Sequence, residues 1–506
     1  MLTVRDFSDN RQALGERDGK SVKSDRPDTD VTGVALSAPA RSVPEPWPSP
    51  TQAWYAVFVL ALGLMVTYLD RGILSLLVEP IKRDLHINDT QMSLLIGFAF
   101  ICFYLIIALP IARLIDYKSR RTILGVGTAI WGFTTSLSGL ANNFGELFAC
   151  RVGVGVGAAC SSPATFSMLA DLFPREKLAR AFAFLFFGVY GGEGLSLIVG
   201  GYLANFFTQL PLRSYPLVGT LHGWQLTLIA IGVPGLLVSA LMATVREPAR
   251  RGRAGAGGYQ GGTAPQQIPA KEVVAFMWKN AGIFLPIFAS MGIAAALTFG
   301  VRSWGPAFYA RTFDWSVAKY GLVQGTLALT IMPFGALTGS LFAERLANRY
   351  DDANMRTVLI GQLLALPGLV LFPLMPTALL AVALSTWGTF FVFCTTAPMN
   401  AALQIVTPNQ MRGQVTALFL FVYNVIGIGL GPTFVALFTD FVFHSENLLG
   451  RAITVASLIM GSLTALIVWV GVKPYGRAIR QQKAQEDSSS ELLLGTTSSL
   501  RPEQVS

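Results

Sequence analysis

A chain of 506 residues in which 52% are hydrophobic and only 13% are charged carries more apolar surface than a soluble core can hide, since soluble domains run at about a quarter charged. That composition excludes an ordinary soluble enzyme and describes a polytopic membrane protein. The net charge of +9 calls for no nucleic-acid partner, because the basic residues gather in one set of loops between apolar runs.

Residues 1–50, ending in PEPWPSP, mix charges of both signs and contain no apolar run, which reads as a disordered cytoplasmic tail and not as a signal peptide. Twelve runs of about twenty apolar residues follow, near 53–77, 91–114, 122–141, 146–169, 180–205, 223–245, 281–310, 317–343, 356–375, 377–405, 413–440 and 450–472. Each can span roughly 30 Å of hydrocarbon at about 1.5 Å per residue. The first, WYAVFVLALGLMVTYLDRGILSLL from Trp54, carries Asp70 and Arg71 inside it. A charge at that depth costs about 2.5 to 3.5 kcal/mol on insertion scales, so both are expected to face a partner or a water-filled cavity.

The loop after the second run reads PIARLIDYKSRRTIL and supplies Asp116, Arg120 and Arg121. The fourth run holds RVGVGVGAAC, with Arg151 about a turn and a half inside the span and glycines that let a neighbouring helix approach closely. In the fifth, Glu193 lies about thirteen residues from the cytoplasmic end, roughly 20 Å and so near the midplane. Between 246 and 279 the chain turns to REPARRGRAGAGGYQGGTAPQQIPAKE, a basic, Gly-rich cytoplasmic linker that divides two six-span bundles, 51–245 and 280–473.

In the second half, Arg302 lies near the outer end of its run, where it would either snorkel to the interface or act in the cavity. The loop after the eighth run, GSLFAERLANRY, sets Glu344 and Arg345 against Asp116 and its basic neighbours in the first half, as internal repeats do. Thr389, Thr395 and Thr396 with Phe390 and Phe393, then Tyr423 and Asn424, offer hydroxyls and an amide among aromatics, a lining suited to amphipathic cargo or, alternatively, a packed face. Residues 474–506, rich in Gln, Ser and Glu, read as a second disordered cytoplasmic tail.

Orientation follows from the loops. Those after the even-numbered runs hold about seventeen Lys and Arg and the opposite ones about six, which places both termini in the cytoplasm. The four cysteines fall inside spans and the three histidines in separate loops, so no metal site, disulfide framework or cofactor is implied.

These residues resemble the major facilitator superfamily from about Trp54 to Lys473, and within it the spinster-like carriers. Ala112, Asp116, Arg120 and Arg121 are similar to the signature between helices 2 and 3, with Ala112, Tyr117 and Ser119 standing where the family has Gly, a basic residue and Gly. Arg151, Gly155, Gly157 and Ala159 look like the helix-4 motif. YLDRGILSLLVEPIKRDL from Tyr68, ADLFPREKLARA from Ala170 and RGQVTALFLFVYNVIGIGLGP from Arg412 carry the spinster likeness. One departure stands out: the spinster pattern has Glu after the helix-4 GVG, and this chain has Ala158.

The resemblance implies an all-α fold of twelve transmembrane helices in two six-helix bundles, and a monomeric secondary transporter of a small organic or amphipathic, lipid-like anionic solute, coupled to protons and working by alternating access in a bacterial inner membrane. Asp70 is expected to pair with Arg151 and to exchange that partner for a proton during transport, with Glu193 covering part of the role of the missing carboxylate. Asp116, Arg120, Arg121, Glu344 and Arg345 are expected to latch the cytoplasmic side. Two other readings stay open: a polyspecific drug efflux pump, which would favour cationic cargo, and a non-transporting membrane sensor with the same fold.

Overall fold

The computed structural model describes residues 47–211, 213–215, 219–250, 268–408 and 410–498. The expected tail 1–50 therefore lies almost wholly outside the described residues, as does the Gly-rich core of the linker, 251–267.

The first half begins with α1 (Pro50–Leu76), capped by the Ser49 side chain, followed by the short amphipathic α2 (Val78–Leu85). The second span is a composite of α3 (Asp89–Ser93), a π-helical turn over Leu94–Phe98 and α4 (Ala99–Tyr117). Then come α5 (Arg120–Ser138), α6 (Phe144–Ala159) with α7 (Ser161–Leu172), α8 (Arg175–Gln209) and α9 (Gly223–Met242). In the second half, α11 (Ala281–Phe313) and α12 (Val317–Ala347) are followed by α13 (Ala353–Leu371) and α14 (Ala378–Val406). The eleventh span breaks into α15 (Arg412–Asn424), a π-helical stretch Val425–Leu430 and α16 (Gly431–Leu437), and α17 (Leu449–Ser498) closes the chain. The helix α10 (Ala270–Lys279) lies between the halves in sequence.

Eleven helices among the described residues are long and apolar enough to cross a membrane. The twelfth expected span is a 19-residue helix, α5, whose Thr, Ser and Gly content makes it more polar than the rest. Its fully buried Trp131 packs against Gly235 of α9.

Three local expectations change. The linker is not structureless to 279: VVAFMW gives α10 an apolar face, and Val273 is buried in one apolar cluster with Phe284, Met355 and Tyr475. The tail expected to be disordered from 474 is helical to Ser498, because Tyr475 and Ile479 continue the buried face of α17 and Lys483 reaches Asp351 at 2.7 Å. Between α8 and α9 a small antiparallel hairpin, β1 (Arg213–Tyr215) with β2 (Gly219–Leu221), pairs Arg213 with Leu221.

Close crossings join the two halves toward the end that carries α2. On α12, a Cβ at Gly321 would collide with the Leu197 carbonyl of α8, and Gly325 sits against the Gly194 carbonyl. A Cβ at Gly97, in the first π-helical turn, would strike the Ile428 carbonyl in the second. Small residues here let backbones meet where no hydrophobic effect drives association.

Candidate functional site

Asp70 on α1 and Arg151 on α6 meet: Arg151 Nη1 donates to Asp70 Oδ2 at 3.1 Å, and the side chains are 2% and 0% exposed respectively. Thr135 of α5 donates a second hydrogen bond to Oδ1 at 3.2 Å. Arg151 Nε has no partner. All three helices belong to the first half, so the pair is a dry contact within one half.

Arg71 turns away from Asp70. Its guanidinium lies over Tyr68, 4.7 Å from the ring centroid, and over Phe100 of α4 at 5.1 Å. It has no carboxylate partner among the described residues, and its Nε is unbonded. Aromatic faces supply the negative potential that a carboxylate would otherwise give.

Glu193 of α8 and Arg302 of α11 form a second pair, and this one spans the halves. Arg302 Nη1 lies 3.3 Å from both Oε1 and Oε2, and the two side chains stay partly exposed, at 32% for Arg302 and 19% for Glu193. Tyr68 lies within electrostatic reach of both Arg71 and Glu193, so the four side chains form one polar group. The expectation that Arg302 sits near an outer helix end is corrected: α11 runs on to Phe313, which leaves Arg302 eleven residues, about 16 Å, short of that end. A carboxylate at hand makes pairing, not snorkelling, its way of meeting the cost of burial.

Two lining candidates lie elsewhere. Thr395 is buried against α13, its Cγ2 beside Gly361, and its hydroxyl donates to the Val392 carbonyl at 2.7 Å. Asn424 donates back to Leu420 O at 2.7 Å within its own helix, where α15 gives way to the π-helical stretch. Thr396 likewise bonds back to Phe393 O. A hydroxyl inside a helix commonly takes the preceding turn's carbonyl, which satisfies it without a ligand.

The expected latch residues divide. Arg120 is buried and points into its own half: it donates to Asp171, to the Ser167 carbonyl and hydroxyl at 3.1 Å, and to the Pro248 carbonyl at 3.0 Å. Glu247 accepts from the Arg120 backbone N–H at 2.8 Å and from Ser119. Burial pushes the Glu247 carboxyl up, but the Ser119 and Arg120 hydrogen bonds and the Arg120 charge outweigh it and hold it below the usual range. Arg121 reaches the Ala243 and Val245 carbonyls beyond α9 at 3.4 and 3.3 Å, as basic side chains do at helix C-termini. Glu344 and Arg345 are exposed and have no ion-pair partner among the described residues. The side chain of Asp116 lies outside the described residues.

A larger charged cluster at the α2 end escaped sequence reasoning. Asp89, wholly buried, accepts from Lys82 and from Arg311 at 3.1 Å. Arg311 also reaches Glu79 at 2.7 Å and Glu446 at 3.7 Å, and Lys82 meets Glu446 at 2.7 Å. Asp440 accepts from the Thr90 N–H at 2.7 Å and its hydroxyl at 2.6 Å. Glu79, Lys82, Asp89 and Thr90 come from the first half, and Arg311, Asp440 and Glu446 from the second. The signal was a loop whose Lys82 and Asp89 look like ordinary anchors beside a membrane span; only the fold puts Arg311 between them.

A family model described as Major Facilitator Superfamily matches residues 60–432. The chain belongs to the Major Facilitator Superfamily. An MFS-type efflux pump of Mycolicibacterium smegmatis is 28% identical over 448 residues, covering 86% of this chain and 96% of the relative. Protein spinster of Drosophila melanogaster is 26% identical over 325 residues, 62% of this chain and 49% of that protein, and spinster homolog 1 of Xenopus laevis is 25% identical, with 86% and 81% covered. A crystal structure of a bacterial homolog of the human lysosomal transporter spinster, in an inward-facing and unoccupied conformation, shares the fold with a TM-score of 0.71 at 22% identity over 86% of this chain and 98% of that one. The chain is thus a membrane transport protein of the superfamily, with spinster-like relatives, and not an enzyme.

Proposed function

We propose that this protein is a secondary transporter that carries an anionic amphipathic solute by alternating access, with protons as the coupling ion. The observation that carries this reading is one surplus cation, Arg71, among the charges inside the spans. Asp70 and Arg151 cancel each other in a dry contact. Arg71 lies against the Tyr68 and Phe100 rings with no carboxylate partner among the described residues, and Arg302 shares a partly exposed carboxylate. A guanidinium flanked by Tyr68 and Phe100, with no carboxylate partner among the described residues, is a place for an anion attached to an apolar body.

The cross-half ion pairs at the α2 end support a state closed on that side. By the bias of basic loops, that side faces outward, with both termini in the cytoplasm of a bacterial inner membrane and the protein working as a monomer. Asp70 is a proton site in this reading: protonation would free Arg151, and a carrier with Asp70→Asn that retained normal pH dependence would remove it from the role. Glu193 is the second.

The experiment is flux in proteoliposomes. An anionic amphiphile such as a lysophospholipid phosphate should be carried and a cationic dye should not, and Arg71→Gln should lower anion flux at least tenfold. The drug-efflux reading keeps one supporting observation, the likeness to the MFS-type efflux pump of Mycolicibacterium smegmatis; preferential extrusion of the cationic dye would establish it over the anion reading.

A further inference from the structure

The two ion pairs inside the spans differ in a way that assigns them different work. The Asp70–Arg151 contact is closed to solvent and lies inside one half, whereas Glu193 and Arg302 are partly exposed and come from opposite halves. Their contact is also slack. Both carboxylate oxygens lie 3.3 Å from one nitrogen, Nη1, where charge-assisted bonds settle at about 2.7 to 2.9 Å and Arg–carboxylate pairs often engage two nitrogens. Arg302 makes no other hydrogen bond among the described residues, so most of its donors remain available for a second anion.

The groups around the pair leave one proton acceptor. From α1, Tyr68 lies within electrostatic reach of Glu193 and Arg71, and from α4 Tyr104 reaches Tyr68. From α12, Tyr320 lies within reach of Arg302, with Tyr309 of α11 behind it. Tyrosines and arginines do not change charge between about pH 4 and 8, and a carboxylate can.

We propose that Glu193 is a built-in competitor for the cargo: its carboxylate holds Arg302 while the cavity is empty, a carboxylate, sulfonate or phosphate on the cargo takes that place, and Glu193 accepts a proton from cavity water as it lets go. This rests on the anion-carrier reading and names the exchange that couples it to protons. One ion pair breaks and one forms, and the proton ends on a Glu193 carboxylate oxygen. For a monoanion the local charge is unchanged, since Arg302 with Glu193 and Arg302 with cargo and neutral Glu193 both sum to zero. One proton is therefore taken up per anionic group, and cargo affinity strengthens by up to about tenfold per pH unit of acidification while Glu193 is otherwise ionised.

The test uses the full chain in maltoside detergent with n-decanesulfonate below its micellar concentration, because a sulfonate stays a monoanion throughout. Binding is read from thermal stabilisation at pH 5.5 and 7.5. The wild type should bind about ten- to a hundredfold more tightly at pH 5.5. Glu193→Gln should bind equally at both values, close to the wild-type low-pH affinity, and Arg302→Gln should lose at least tenfold. Glu193→Asp, which keeps the charge and guards against a folding artefact, should retain the slope. An unchanged slope in Glu193→Gln, or full binding in Arg302→Gln, overturns the exchange and leaves the pair a strut between the halves. If decyltrimethylammonium stabilises the wild type and decanesulfonate does not at either pH, the anion-carrier reading itself falls, and the exchange with it.

Discussion

Replacing Asp70 by Asn and Arg151 by Gln should give unequal losses, although each removes one half of the same contact. Taking away one member of a buried pair costs about 3 to 5 kcal/mol, because the survivor stays uncompensated. Here the survivors differ. Asp70, left behind in Arg151→Gln, can take up a proton and become neutral, keeping a hydrogen bond with Thr135. Arg151, left behind in Asp70→Asn, cannot shed its proton and is 2% exposed with an unpartnered Nε. Asp70→Asn should therefore bear the full cost. The cost of Arg151→Gln should shrink as pH falls toward the range where the stranded carboxyl protonates: ionised Asp70 is the destabilising species in that variant, so acid relieves it. At about 2 to 4 °C per kcal/mol for halves of this size, Asp70→Asn should melt about 6 to 20 °C below wild type in detergent, and Arg151→Gln by less, with the gap between them widest at low pH. The double variant, which buries no charge, should recover most of the loss. Equal single losses at every pH, adding up in the double variant, would refute the claim that these residues form a dry, mutually neutralising pair.

Three further outcomes follow from the geometry. Arg311→Met removes the cation that Asp89, Glu79 and Glu446 share across the halves; about 1 to 3 kcal/mol of closure should go, a roughly 5- to 150-fold shift in the closed-to-open ratio, seen as longer spin-label distances across the α2 end, and unchanged distances would show that the cluster does not hold it shut. Gly321→Leu should abolish the close approach of α12 to the Leu197 carbonyl and stop transport while the halves still fold, a result that normal flux would contradict. Glu247 is held below its usual range, so it stabilises the fold above about pH 4.5, and this contribution is lost as pH falls through its lowered folded value; wild type should thus lose melting temperature on acidification more steeply than Glu247→Gln, and parallel pH profiles would count against the clamp.

The helices were legible because apolar length is written locally, and so was the need of Asp70 for a partner, since a charge at membrane depth must be met by something. What sequence could not supply was the direction of each side chain once the helices had packed. Arg120 and Arg121 read as a latch toward the other half, yet Arg120 turns to Asp171, near the end of α7, and to Glu247, in the segment after α9, both far away in sequence. Thr395 has the composition of a cavity wall and instead seals the contact of α14 with α13. The end of α17 looked too polar to order, but Tyr475 and Ile479 join a buried apolar cluster and Lys483, on the same face, reaches Asp351 in the α12–α13 loop. Arg302 was placed by its distance along the chain, whereas its partner Glu193 lies on a helix from the other half.

The placement of charges also constrains any cycle in which the halves rock. Motion between halves leaves Asp70–Arg151 intact, because both belong to the first half; only protonation or an incoming group can separate them. The same motion must break Arg311 from Asp89 and Glu79, Lys82 from Glu446, and Asp440 from Thr90, and it strains Glu193–Arg302. Opening at the α2 end is then costly while Glu193 is ionised and Arg302 has no other anion. Once the cargo anion travels with Arg302 and Glu193 is neutral, nothing electrostatic ties α8 to α11 inside the spans. An empty, deprotonated carrier would thus resist opening at that end, and a loaded, protonated one would meet a lower barrier, which is the condition for coupled transport rather than leak. Glu193→Gln should accordingly carry its anion down a gradient with the proton dependence gone, and a variant that instead kept wild-type proton-driven accumulation would place the coupling on Asp70.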